Sequence, residues 1–205
     1  MPVNRRHLLG ASAAGAAGAL ALPAEPARAA PLIATLGRDA TQYGVRPNSP
    51  DDQTRALQRA IDEAARAQAP LALPPGLYRT GLLRLATGSQ LVGVRGATKF
   101  TFTGGEPSML LSEGADSVGL CGLALDGGNI PLPARRGLVH CAGGHDIRVI
   151  DCEIVNAGGS GIWLEQVAGE ISGNSLGNIA ATGIVSFDAL GLIVSRNTII
   201  GTNDN

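Results

Sequence analysis

Three consecutive stretches of this chain begin on Gly followed by Leu or Ile and repeat at almost the same length. They are "GLVHCAGGHDIRVIDCEIVNAGGS" (137–160), "GIWLEQVAGEISGNSLGNIAAT" (161–182) and "GIVSFDALGLIVSRNTIIGTNDN" (183–205), of 24, 22 and 23 residues. A period in this range is the mark of a solenoid, in which each repeat is a unit too small to bury its own apolar face and must stack on the next. Alignment brings Leu138, Ile162 and Ile184 together, then Val149, Ile171 and Val194, then Cys152, Asn174 and Asn197, then Ile154, Leu176 and Ile199. A looser earlier unit, "SVGLCGLALDGGN", places Leu120, Leu123 and Leu125 on the same pattern.

A leucine-rich repeat has a similar period but needs a dense leucine frame closed by Asn or Cys. Here the apolar positions are largely Ile and Val in short alternating runs, with Gly or Asn between them, which reads as strand, turn, strand. Gly127, Asn156, Asn178 and Gly201 each fall two residues after the last inward apolar residue. Gly and Asn tolerate the left-handed region, so a corner of that conformation is expected once per repeat. The expectation is an all-β fold, a right-handed parallel β-helix. Nothing after Ile199 reads as a cap for the last repeat, so the C-terminus reads as truncated, the chain being part of a longer solenoid.

The first residues follow another logic. "NRRHLLGASAAGAAGALALPAEPARAA" pairs Arg5 and Arg6 with a weakly apolar run from Leu8 to Leu22 and an A-x-A cleavage signal ending at Ala29. The run is too short to span a membrane. Arg5-Arg6 before Leu8-Leu9 resembles a twin-arginine signal, whose passengers cross the membrane folded; Asn4 and Leu8 depart from its usual residues, and an ordinary secretory signal is the alternative. Residues 1–29 are thus a signal peptide, 30–38 a linker and 39–205 the β-helix domain, with 39–80 its N-terminal cap and 81–205 its rungs. The expected location is periplasmic or secreted, with the twin-arginine translocase as a partner during export. Losing Arg5, Arg6, Arg28 and Glu25 from 16 basic and 17 acidic residues leaves a formal charge of −3. With 3% aromatics as well, no nucleic-acid partner is expected. Cys121, Cys141 and Cys152 have no zinc or redox spacing, and no metal site is expected from them; an oxidising location would permit a disulfide.

Ahead of the repeats, Leu57, Ala60, Ile61, Ala64 and Ala65 carry helical spacing, with Ser49 as the expected N-cap, Pro50 and Asp52 in the first turn, and Pro70 as the stop. The run Y-G-V…D-D-Q-T-x-A-L-Q-x-A-I, from Tyr43 to Ile61, followed by L-x-L-P-P-G-x-Y from Leu71 to Tyr78, resembles the N-terminal cap of pectate-lyase-superfamily proteins. That resemblance covers about residues 39–205 and implies that the helix plugs the first rung. Signal, cap and glycine-led rungs together resemble twin-arginine-exported β-helix repeat proteins.

The superfamily implied by the resemblance includes polysaccharide lyases, glycoside hydrolases and epimerases, and implies calcium only by analogy. Frame does not supply chemistry. The N-T-D, D-D and G-H-G series of galacturonan hydrolases and the D-P-H-E of alginate epimerases are absent, and Asp51-Asp52 sits where carboxylates serve a helix start. Alternation offers an outward row: if Ile162 and Leu164 point in, Trp163 and Glu165 point out. An exposed Trp beside a carboxylate suits stacking and protonation of a sugar ring, with Asp188 one repeat away and Arg135 and Arg136 on a neighbouring loop for a polyuronate carboxylate. His140 aligns with Leu164 and is expected to point inward. Two readings stand: an exported β-helix protein contacting polysaccharide, as a lyase or hydrolase, or a non-catalytic surface or binding repeat. Oligomeric state is not legible.

Overall fold

Every strand pair in the computed structural model, which describes residues 37–203, is parallel, and each strand pairs with strands one turn away. In chain order, β1 (Arg38–Asp39) leads to α1 (Thr54–Arg66), then β2 (Leu71–Ala72), β3 (Gly76–Thr80), β4 (Leu83–Arg84), β5 (Gln90–Val92) and β6 (Thr98–Phe102). Next come β7 (Leu110–Glu113), β8 (Gly119–Cys121), β9 (Ala124–Asp126), the long β10 (Gly137–Ile150) and β11 (Glu153–Ala157). The long β12 (Ser160–Ser172), β13 (Ser175–Ile179), β14 (Ile184–Phe187), β15 (Leu192–Ser195) and β16 (Thr198–Thr202) complete the chain.

These strands form three walls. Wall A stacks β4, β7, the first half of β10, the first half of β12, and β14. Wall B stacks β1, β2, β5, β8, the second halves of β10 and β12, and β15. Wall C stacks six strands, β3, β6, β9, β11, β13 and β16. The chain is therefore a parallel β-helix with one α-helix at its N-terminal end.

The expected ladders exist. On wall C, Tyr78, Phe100, Leu125, Ile154, Leu176 and Ile199 are register partners in succession. One alignment differs from expectation. Ile162 and Ile184 pair as expected, but their partner on β10 is Val139 rather than Leu138. The slip is absorbed by a register shift between Gly144 and Ile147, where β10 turns from wall A to wall B. A one-residue slip exchanges the faces of every residue it reaches.

Left-handed corners occur in three columns where the sequence suggested one. Asn156, Asn178 and Gly201 hold the expected column with φ of 55°, 53° and 69°, whereas at Gly127 the positive φ passes to Gly128 and Asn129. Gly114, Gly143, Gln166 and Asp188 form a second column between walls A and B; Gly122, Asp151, Gly173 and Arg196 form a third between walls B and C. Gln166 and Arg196, with φ of 51° and 54°, show that the corner's conformation persists where the residue type does not favour it.

Helix α1 buries Leu57, Ala60, Ile61 and Ala64 over the end of the solenoid. Gln58 ties it to wall A, accepting from the Arg84 backbone N–H at 2.8 Å and donating to its carbonyl at 2.9 Å. The helix begins at Thr54, later than Ser49 would have it, and its N-cap Gln53 makes no side-chain cap bond. Gln53 is buried and its amide is spent on the Arg46 backbone. Asp52 takes the Thr54 N–H instead, at 2.9 Å. Burial works against its charge, but that bond and the Thr103 hydroxyl outweigh it and hold the carboxyl below its ordinary range.

All three cysteines are free thiols. Cys141 and Cys152 are core residues whose burial pushes their thiols up to about 12, so neither is a nucleophile at neutral pH.

Candidate functional site

The outer face of wall A carries two columns of side chains, because alternate residues of each strand point outward. Leu111, His140, Trp163 and Val185 share one register position; Glu113, Ala142, Glu165 and Phe187 share the position two residues on. His140 thus pairs with Trp163 and lies on the outer face, contrary to the inward position expected for it. The inward residues are its neighbours Val139 and Cys141, both fully buried.

In the later turns wall C passes to wall A quickly: β11 gives way to β12, and β13 to β14, within a few residues. Between β9 and β10 the chain makes a longer excursion, residues 127–136. Its path is set at both ends. Pro131 bridges to Gly158 on the next turn, Leu132 N–H donates to the Gly158 carbonyl at 3.2 Å, and Ser160 N–H donates to the Arg136 carbonyl at 3.2 Å. The segment runs along the edge of wall A as a strap, and its Arg135 and Arg136 line cavities together with residues of the outer columns.

Trp163 is only 7% exposed, so it is not the open aromatic plate that alternation alone suggested. Its ring packs on Phe187 at 5.2 Å between centroids, and the Arg135 guanidinium lies 5.6 Å from the Phe187 ring centre. The indole N–H donates to Glu165 Oε1 at 2.7 Å. A bond to a carboxylate of that length fixes the rotamer of Glu165 and directs its other oxygen away from the indole.

Beside the strap, Glu113, His140, Glu165, Arg135 and Arg136 line one depression of about 300 Å³. Glu113 and Glu165 are two turns apart in one column, with Ala142 between them, which separates their backbones by about 10 Å at the usual strand spacing. His140 is 3% exposed, and its Nδ1 is buried with no hydrogen-bond partner. Burial, then the Arg136 charge, push its pKa below 6.5 against the weaker opposite pull of Glu165 and Glu113. The imidazole is therefore neutral at pH 7.

The depression continues both ways along the wall. Toward the helix, Glu113 is shared with a cavity of about 380 Å³ that also holds Gln58, Asp62 and Arg84, and Arg84 stands 3.7 Å from Glu113. Toward the other end, the strap residues Ala134, Arg135 and Arg136 are shared with a cavity of about 350 Å³ walled by Trp163. The depression thus adjoins a cavity on either side, sharing Glu113 with one and Ala134, Arg135 and Arg136 with the other.

Of the residues singled out in the sequence, the structure brings together Glu165, Trp163, Arg135 and Arg136. Asp188 does not join them: it is an exposed corner residue one turn from Gln166 and lines none of the three cavities. Arg5, Arg6 and Ala29 lie outside the described residues. Sequence reasoning missed Glu113 and His140. The signal was present: Leu111-Ser112-Glu113-Gly114 repeats the frame of Trp163-Leu164-Glu165-Gln166, each run ending on a left-handed corner. Among the described residues no group of three or more His, Cys, Asp or Glu side chains is arranged to hold a metal ion.

No family model and no curated protein sequence matches the chain. Solved structures do resemble it. The A-module of the mannuronan C-5 epimerase AlgE4 from Azotobacter vinelandii superposes with a TM-score of 0.65 at 21% identity, over 78% of this chain and 50% of that one. A Parabacteroides merdae protein assigned to the glycosyl hydrolases gives 0.57 at 15% identity, over 79% and 96%. Gene product 12 of bacteriophage phi29, in its pre-mature form, gives 0.55 at 15%, over 82% and 33%. The chain spans half the length of the epimerase module. At these identities the likeness is one of fold.

Proposed function

We propose that this chain is an exported β-helix protein that holds a linear polysaccharide along wall A and acts on it at the Glu113–His140–Glu165 depression. The observation that carries this reading is the convergence, beside two arginines, of a neutral buried imidazole and two carboxylates in one depression with a cavity adjoining it on either side. The carbohydrate-active proteins among the structural neighbours support it.

The arrangement suits elimination from an acidic sugar. Arg135 and Arg136 would pair with the substrate carboxylate and make the adjacent carbon acid easier to deprotonate. Neutral His140 would take that proton; the electron pair would form the ring double bond as the carbon–oxygen bond to the leaving sugar breaks, and the imidazolium so formed would return the proton to that leaving oxygen. Hydrolysis is the second reading, favoured by the two-turn separation of Glu113 and Glu165, which leaves room for a water between acid and base.

A panel of oligouronides and neutral glycans tests this. An ultraviolet-absorbing unsaturated product identifies the lyase and new reducing ends without absorbance identify the hydrolase. H140Q should lower turnover by about 100-fold or more while sparing binding. Binding without product would leave a carbohydrate-binding repeat, and neither binding nor product would overturn the reading. Export is tested separately: changing Arg5 and Arg6 to Lys should hold the precursor in the cytoplasm if the twin-arginine route carries it.

A further inference from the structure

We infer that the strap 131–136 is a gate on wall A, and that the contact of Arg135 with Phe187 is its latch. Both ends of the strap are tied to the adjoining turn through Gly158 and Ser160. Its middle is not held in this way. Pro133, Ala134 and Arg135 are exposed. Arg135 has φ 60°, a conformation that a side chain with a Cβ adopts only at a cost. The guanidinium reaches across to Phe187, which is itself 43% exposed.

What lies beside it gives the strap its consequence. Trp163 is the single tryptophan of the chain, is only 7% exposed, and forms one wall of a cavity whose other wall is the strap. The strap also separates two cavities, since Arg135 and Arg136 form the border between the Glu165 depression and the Trp163 cavity. Lifting it would merge the two and present the indole to a bound chain, with its N–H still on Glu165. That consequence rests on the glycan reading of wall A; the gate itself is read, and tested, without any glycan.

A cation–π contact at an exposed site is weak, so its removal should raise the open population by only about two- to five-fold. Acrylamide quenching of Trp163 fluorescence reads that population in ligand-free protein. R135N keeps a residue that tolerates the left-handed region and removes the guanidinium; F187L keeps an apolar cover on the indole and removes the aromatic face. Each should raise the quenching constant, and the double variant should raise it no further than the larger single effect. L190A, which changes another exposed apolar residue of the last turns, should leave it unchanged and so separates unlatching from general loosening. Quenching unchanged in R135N, additive effects in the double variant, or an equal rise in L190A would each overturn the latch. Any of these results leaves the glycan panel unaffected, and a failed panel leaves the quenching result standing.

Discussion

Ile154 and Ile199 occupy the same ladder position on wall C, two turns apart, yet Ile154 is fully buried and Ile199 is 44% exposed. The same residue type, strand position and inward direction give opposite burial. The difference is the neighbour: Ile154 lies between Leu125 and Leu176, whereas Ile199 has Leu176 on one side only among the described residues. At the other end α1 closes the solenoid, and Tyr78 at the head of the ladder is fully buried with its hydroxyl donating to the Pro74 carbonyl. In a solenoid, burial belongs to the stack of turns rather than to the residue.

The largest test of that contrast is a matched pair of truncations. I154A should cost about 2–5 kcal/mol, the range for emptying a filled core position, while I199A should cost about 1 kcal/mol or less. Urea unfolding of the two variants beside the parent measures both. Equal losses would mean that the last turn is as well packed as the middle ones.

A second pair uses the polar column at the corner between walls B and C. Asn174 is buried, takes the Cys152 N–H at 2.9 Å and donates to the Val149 carbonyl at 2.8 Å. Asn197 repeats the motif one turn on, taking the Asn174 N–H at 3.0 Å and donating to the Ile171 carbonyl at 2.8 Å, but is half-buried. N174A strands buried backbone groups and should cost about 1–3 kcal/mol, while water should hold the N197A loss below that. Hydrogen exchange at Cys152 would report the first site directly.

The smallest effect concerns a buried residue on the outer face of wall A. Because burial lowers the folded pKa of His140 below 6.5, the unfolded chain takes up a proton first as pH falls. Its contribution to stability is complete above pH 6.5 and is lost as pH drops through the lowered folded value. Unfolding free energy measured across that window should decline in the parent and decline less in H140Q. Arg136, Glu113 and Glu165, the charged groups that set this value, remain in both proteins.

The outer face of wall A shows where legibility stopped. Alternation placed Trp163 and Glu165 outward, and they are outward in the sense that Ile162 and Leu164 fill the core between them. Exposure did not follow from direction, because Phe187 packs on the indole and the segment 131–136 walls the cavity beside it. His140 was misplaced by a single residue, since the length difference between repeats is absorbed inside β10 and not at its start. Glu113 escaped notice because its own repeat is looser and was aligned only from Leu120 onward.

By itself the sequence determined the period, the inward ladders of walls B and C, the recurrent left-handed corner and the helix ahead of the rungs. Those features are local: each repeat restates the same alternation, and neighbouring repeats differ by one turn of stacking. Tertiary structure alone decided which outward residues are covered, which carboxylates share a depression, and that the imidazole between them is neutral. Those outcomes depend on residues 127–136, which repeat nothing. Their position comes from hydrogen bonds to Gly158 and Ser160 on the adjoining turn and from a cation resting on Phe187 a turn further along. A repeating pattern carries its own register, but a single excursion acquires its place only when the walls it crosses are already built.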